Sequence, residues 1–298
     1  MILNGLHLLL TYQCNFECDH CFVWGSPNQS GTMSLGQLRN ILTQAQELGT
    51  IEWIYFEGGE PFLYYPILLA AVHLAVERGF QVGIVTNSYW AIAPDDAGEW
   101  LKPLAGQVHD LSVSSDLYHY AEPASQQAAY ATQAAGQLGI PVGTIHIAQP
   151  EEVGAACAVG QLPEDESNVM YRGRATDKLA GRAPQHPWKE FTACPYENLV
   201  EPGRVHVDPL GYLHICQGIS IGNLFEQPLS AICEAYQPQA HPIVGPLLDG
   251  GPAELVRKYG LPHAEGYADA CHLCYTARLA LRSRFPEVLL PDQVYGVF

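Results

Sequence analysis

No stretch of the chain approaches the ~20 consecutive apolar residues that a membrane-spanning helix requires. The opening MILNGLHLLL is short and lacks both a basic leader and a small-residue cleavage site, so it is not read as a signal peptide. The expected compartment is the cytoplasm, with no membrane as partner. Basic residues are scarce: 14 Lys and Arg stand against 31 Asp and Glu, a formal charge of −17. That balance disfavours a nucleic-acid backbone as partner and fits an enzyme with a small-molecule or peptide substrate. No internal repeat and no low-complexity tract is present. Hydrophobic residues make up 48% of the 298 positions, which excludes wholesale disorder and predicts one large domain, or a large one with a small companion.

Apolar strands alternate with helical patterns through the first half. Leu6 to Thr11 reads as a strand, and Ser34 caps a helix whose apolar positions Leu35, Leu38, Ile41, Leu42, Ala45 and Leu48 keep the helical period. IEWIYF (51–56) is a second strand, Pro66 to Arg78 a second helix ended by Gly79, and FQVGIVT (80–86) a third strand. A helix near 94–102, a strand near 109–114, a helix from Pro123 to Leu138 and a strand at 140–147 continue the alternation. Such alternation predicts an α/β fold, a parallel sheet covered by helices and partly closed into a barrel. Functional residues then belong in the loops after the strands. After about residue 150 regularity fades, SNVMYRGRA (167–175) is expected to be one last strand, and Pro and Gly become frequent from 181 onward.

Nine cysteines in a reducing compartment are better read as metal or catalytic ligands than as disulfides. Cys14, Cys18 and Cys21 lie within CNFECDHC, and no further cysteine follows until Cys157. A structural zinc closes on four ligands, and His20, wedged between Cys18 and Cys21, competes with them for space. Three thiolates on an iron–sulfur cubane leave one iron open. Two glycines in GGEP, Gly58 to Pro61, let backbone carbonyls approach a ligand closely after the second strand.

The C-x3-C-x2-C spacing, with aromatic His20 before the last cysteine, and the GGEP segment together resemble the radical S-adenosylmethionine superfamily. The resemblance implies a partial (β/α)6 TIM-like barrel and a [4Fe–4S] cluster on Cys14, Cys18 and Cys21. It further implies S-adenosylmethionine cleaved to a 5′-deoxyadenosyl radical, which abstracts a substrate hydrogen. Gly58, Gly59, Glu60 and Pro61 then meet the methionine amino group, Glu60 adding charge complementarity. Thr86 and Asn87 fall where polar residues meet the methionine carboxylate or ribose. Ser112 and Ser114, and Thr144 and His146, are expected to face the same cavity. Asp116, Tyr118 and His119 in SSDLYHY are candidates for substrate contact, and Arg172 for pairing with a carboxylate of cofactor or substrate.

A second set of cysteines follows. RVHV, a turn at DPLG and YLHI form a predicted hairpin ending at Cys216, and Cys271 and Cys274 head a helical tail. With Cys194 and the GNLFEQPLSAI segment, this resembles the small loop-rich auxiliary-cluster domain called SPASM, or twitch in its shortened form. The expected division is a barrel over 1–185 and an auxiliary-cluster domain over 186–298. Its ligands are Cys194, Cys216, Cys271 and Cys274, holding an auxiliary [4Fe–4S] cluster, with a structural zinc as the alternative. Cys233, in amphipathic LSAICEAY, reads as a small buried hydrophobe. Cys157 is a candidate hydrogen donor to a substrate radical. No leader-recognition or cobalamin-binding domain is expected.

The expected function is a radical oxidoreductase that oxidises a small molecule, the auxiliary cluster accepting an electron. A flavodoxin- or ferredoxin-type protein is the expected electron donor. Radical modification of a peptide or protein, by cross-link or by epimerisation through Cys157, is the alternative. A non-enzymatic iron–sulfur or zinc scaffold is a third reading, disfavoured by GGEP.

Overall fold

The computed structural model of the chain describes residues 1–121, 125–151, 166–167 and 169–297; Pro123 and Cys157 lie outside them. Strands β1 (Leu3–Thr11), β2 (Trp53–Gly58), β3 (Gln81–Thr86), β4 (Asp110–Ser114), β5 (Val142–Ile147) and β6 (Glu166–Ser167) run parallel in that order. Helices α1 (Leu35–Leu48), α2 (Tyr65–Glu77), α3 (Pro94–Leu101) and α4 (Gln126–Gln137) lie between the first five strands. The parallel sheet with crossover helices is the expected partial barrel. Each boundary has a local cause. Ser34 makes a reciprocal capping box with Gln37 at the start of α1, and Ser125 accepts from the Ala128 N–H to start α4. Leu38, Ile41, Leu42 and Ala45 of α1 are buried against the sheet, as their spacing requires.

After Gly173 the chain forms α5 (Arg174–Lys178) and the short β7 (His186–Pro187). The strand expected over 167–175 is thus corrected: β6 ends at Ser167, and a helix begins at Arg174. The reason lies in Gly173, whose φ of 62° no extended strand accommodates.

The hairpin of β8 (Gly203–Val207) and β9 (Tyr212–Cys216) forms around the turn at DPLG, and β10 (Ile219–Asn223) pairs antiparallel with β9. β8 also pairs parallel with β1, placing His206 beside His7, so the sheet runs on as β10-β9-β8-β1-β2-β3-β4-β5-β6. Residue 185 therefore marks no break in the sheet. Val205, Val207 and Leu213 join the barrel core, as do Leu229, Ile232 and Cys233 of α6 (Leu229–Ala235). Cys233 is a buried apolar side chain there, as its spacing predicts. A second core gathers α7 (Val244–Tyr259), bent at Gly250 and Gly251, and α8 (Ala270–Leu281), against Leu9, Tyr12 and Val23; β11 (Gly266–Tyr267) pairs with β7. The cores are joined by a buried chain in which Tyr12 Oη donates to Asp208 Oδ2 at 2.8 Å and His214 Nε2 lies 3.1 Å from the same oxygen. None of the described helices is long and apolar enough to cross a membrane.

Candidate active site

The loop that leaves β1 carries Cys14, Cys18 and Cys21 into a cavity of about 300 Å³ at the C-terminal ends of β1 to β5. The loop is fixed from several sides. The Cys14 N–H donates to the Ser26 carbonyl at 3.0 Å, and the Cys21 N–H to the Cys18 carbonyl at 3.1 Å. Arg174, a residue that the sequence reading passed over, clamps it from beneath. Its guanidinium donates to the carbonyls of Cys18 and Gly25, each at 2.8 Å, and its backbone N–H to that of Cys21 at 3.0 Å. A Cβ on Gly173 would stand 2.6 Å from the Cys21 carbonyl oxygen, so only glycine fits beside the loop. The signal lay in RGRA, where the expectation settled on Arg172 alone.

Gly58 and Gly59 line the cavity beside the thiols. Their lack of a side chain has a cause internal to the fold. A Cβ would stand 2.4 Å from the Thr11 oxygen at Gly58 and 2.1 Å from the Gln13 oxygen at Gly59. The end of β2 thus lies directly on the chain that leads into the cysteine loop. Glu60 is fully buried and is not among the cavity-lining residues. Its carboxylate accepts from the Phe62 N–H at 3.0 Å, the Thr86 hydroxyl at 2.9 Å and the Asn87 N–H at 2.7 Å. Glu60 therefore holds the end of β3 against the 61–64 turn, with Pro61 buried as the first residue of that turn. Burial pushes the Glu60 carboxyl up to about 7 despite these donors.

Thr86, Asn87 and Ser114 do line the cavity. The Asn87 side-chain amide lies 3.6 Å from Cys14 Sγ and donates to Asn15 Oδ1 at 2.9 Å, joining the end of β3 to the cysteine loop. Ser112 does not reach the cavity, its hydroxyl lying 3.5 Å from Asp110 Oδ2. Thr144 is exposed, and His146 Nδ1 meets the Ser115 carbonyl at 2.7 Å.

At the far wall Asp116, His119 and His20 form one cluster. Asp116 Oδ1 lies 2.8 Å from His119 Nδ1 and accepts from the Tyr118 and His119 N–H groups. Burial alone would raise the Asp116 carboxyl, but the His119 imidazole and the Tyr118 N–H hold it below its ordinary value. His20 Nε2, 4.0 Å from Asp116 Oδ2, has no hydrogen-bond partner; burial pulls its pKa down to about 4, and the charge of His119 adds to this. Tyr118 turns away, its hydroxyl donating to the Ala148 carbonyl at 3.2 Å, its ring edge-on to His20.

The four later cysteines Cys194, Cys216, Cys271 and Cys274 come together around a second cavity of about 20 Å³, with Arg172 and Arg278 in its wall. Asp269 caps α8 by accepting from the His272 N–H at 2.7 Å, which sets Cys271 and Cys274, three residues apart, on one face at the helix start. Arg278, 1% exposed, donates to the Gln217 carbonyl at 2.7 Å. Arg172 lines both cavities, its guanidinium 3.2 Å from Cys216 Sγ and 3.2 Å from Glu197 Oε1.

The donor sets fit iron–sulfur clusters. Burial pushes the Cys14 and Cys274 thiols up to about 12 and raises Cys18 and Cys271 well above the ordinary thiol value, so buried thiolates here require a cation. Donors around one tetrahedral zinc stand about 3.8 Å apart. Among the described residues, donors drawn within 4.8 Å of one another occur as Cys18–His20–His119 and His7–Glu57–His206, and neither cysteine set is such a group. Neither set is thus drawn in to the spacing of a single zinc.

Residues 8–119 match the Radical SAM superfamily. The putative peptide biosynthesis protein YydG of Bacillus subtilis (strain 168) is 30% identical over 37% of this chain and 35% of its own length. The S-adenosylmethionine-dependent nucleotide dehydratase of Selenomonas ruminantium is 32% identical over 30% of this chain and 31% of its own length. The chain thus spans about a third of the length of these curated relatives. Its fold is similar to that of BtrN in complex with AdoMet and 2-DOIA, with a TM-score of 0.52, 18% identity, and coverage of 78% of this chain and 82% of that one.

Proposed function

We propose that this chain, whose residues 8–119 match the Radical SAM superfamily, is an enzyme that oxidises a small molecule within the cavity shared by Cys14, Cys18, Cys21, Asp116 and His119. Cys14, Cys18 and Cys21 would hold a [4Fe–4S] cluster, which when bound would supply the electron for reductive cleavage of S-adenosylmethionine to methionine and a hydrogen-abstracting 5′-deoxyadenosyl radical. The chain's own residues bind and orient. Gly58 and Gly59 offer backbone without side chains beside the thiols, and Asn87 and Ser114 offer polar groups at neighbouring strand ends. Asp116 and His119 hold polar substrate groups at the opposite wall. Apolar residues, among them Phe16, Phe22 and Val169, limit water in the same space.

The observation that carries the oxidation is Arg172, which lines the first cavity and whose guanidinium touches Cys216 of the second cysteine set. Cys194, Cys216, Cys271 and Cys274 would hold an auxiliary [4Fe–4S] cluster, which when bound would supply an acceptor for the one electron that the substrate radical gives up. A flavodoxin- or ferredoxin-type protein supplies the reducing electron. Radical modification of a peptide is the second reading, favoured by the likeness to YydG. Its hydrogen donor, Cys157, lies outside the described residues. Mass spectrometry of cell extract turned over anaerobically with reduced enzyme tests both: a small metabolite lighter by two hydrogens is expected, and a modified peptide as sole product overturns the first reading.

A further inference from the structure

A second group of ligand-type side chains lies one layer below the cysteine loop, on the inner face of the sheet. His7 of β1, Glu57 of β2 and His206 of β8 come from three adjacent strands, and the register that pairs His7 with His206 and Leu9 with Glu57 sets them on one diagonal. Their donor atoms all lie within 4.8 Å of one another. His7 Nδ1 is 3.4 Å from Glu57 Oε2, and His206 Nε2 is 3.1 Å from Glu57 Oε1. Neither contact is aligned as a full hydrogen bond, leaving buried His7 Nδ1 and Glu57 Oε1 without one, although, against the cost of burial, the two imidazoles hold the Glu57 carboxyl below its ordinary value.

The geometry points to a divalent transition-metal site of the two-histidine, one-carboxylate type, separate from both cysteine sets. Donors sharing one ion at bonds of about 2.0–2.2 Å stand about 2.9–3.5 Å apart; the two histidine–carboxylate contacts fall in that range, and all three donors lie within 4.8 Å. An ion would satisfy the two buried donor atoms that these ion-pair contacts leave unaligned. The ring of His7 is further held by stacking on Tyr55, centroids 4.6 Å apart. Strands are stiff supports for such a set.

Glu57 also lines the cavity that contains the cysteine loop. Three protein donors leave coordination positions free, and Glu57 places them toward that cavity. The ligand class is then an oxygen donor of the substrate, a carboxylate or a pair of hydroxyls. This role rests on the cavity being the substrate site; the metal site itself does not.

The test uses enzyme with both cysteine sets loaded with iron and sulfide, so that thiolates are occupied. It is equilibrated with Co2+ at about 0.1 mM and its cobalt and iron are counted by mass spectrometry. One cobalt per chain beyond the iron is expected, with affinity reduced at least about tenfold in Glu57→Gln and in His206→Asn. His73→Asn, at an exposed His–Glu pair on α2, serves as control and is expected to bind as wild type does. Iron content and circular dichroism in each variant separate loss of the site from loss of the fold. Absence of cobalt in the wild type, or cobalt that survives both substitutions, overturns the site and leaves the three residues as an ion pair between strands. Cleavage of S-adenosylmethionine, measured in the same preparations, reports separately on the radical reading.

Discussion

The two cysteine sets differ in what surrounds them. Three thiols open into about 300 Å³ lined by apolar side chains and a few polar groups at strand ends, whereas four thiols close around about 20 Å³ walled by apolar side chains, Glu197 and two arginines. Room for a ligand goes with the incomplete set, and enclosure goes with the complete one. A cluster with an unfilled position beside free space suits chemistry on a bound molecule; a fully ligated one sealed by protein suits electron transfer. The two also differ in support. Arg174 and the end of β2 hold the first set by backbone contacts, and the cap at Asp269 holds the second by helix geometry.

The widest separation comes from removing each set in turn. Cys14, Cys18 and Cys21 replaced together by Ala should abolish 5′-deoxyadenosine formation while about four irons remain in the second set. Cys271→Ala with Cys274→Ala should still form 5′-deoxyadenosine but yield little oxidised product, provided circular dichroism shows the fold intact. Normal turnover in that double variant would make the second set structural and move the peptide reading ahead.

Next in size is Gly59→Ala. Its Cβ would meet the Gln13 backbone oxygen at 2.1 Å, and backbone does not yield as a side-chain end does. Overpacking of this kind costs about 1–3 kcal/mol or more, and it displaces the cysteine loop. Affinity for S-adenosylmethionine, by equilibrium dialysis, should fall at least about tenfold, with second-set iron unchanged. Equal loss of iron from both sets would show the two regions to be mechanically one.

Arg172→Gln sharpens the electrostatic side. A guanidinium 3.2 Å from Cys216 Sγ stabilises the more negative, reduced state of a cluster there. Its removal should lower the second set's reduction potential on the order of 100 mV and move the first set's less. Potentiometric titration followed by electron paramagnetic resonance reads both. Equal shifts would refute the placement of Arg172 at the second set.

How far the sequence foretold this arrangement follows from the range of each interaction. The alternation of β1 to β5 with α1 to α4 and the hairpin at DPLG were legible because periodicity and turn chemistry act over a few residues. The grouping of each cysteine set was legible through motif spacing and family resemblance. The pairing of β8 with β1 was not, since it joins residues some 200 positions apart in the chain and leaves no local trace. For the same reason the His7–Glu57–His206 group went unseen: each member reads alone as an ordinary strand residue. Glu60 is expected from the motif to meet the cofactor by charge; that three donors from the 61–64 turn and the end of β3 also converge on it is set by tertiary contact and has no local trace. The strand expected through Arg172 failed at Gly173, where contact with the cysteine loop outweighed local pattern.

The smallest effect compares the two regions through their buried carboxyls. Burial raises Glu60 of the first region to about 7 from 4.5, and Asp269 of the second to about 6 from 3.8. A carboxyl whose folded value is raised binds more protons folded than unfolded. Its stabilising contribution is complete below the unfolded value and is lost as pH rises through the folded one. Buried His20 and His272, both lowered to about 4 from 6.5, slope the other way across the same range. The total pH profile therefore identifies nothing, and the difference between wild type and a single variant does. For Glu60→Gln that difference should change by about 3 kcal/mol between pH 4.5 and 7, the wild type losing ground as pH rises. For Asp269→Asn the change should be complete near pH 6. Guanidinium unfolding of each pair, followed by circular dichroism at half-unit pH steps, measures both. A difference for Glu60→Gln that is flat with pH would mean its carboxyl is ionised throughout, held so by the donors of Phe62, Thr86 and Asn87 against the cost of burial.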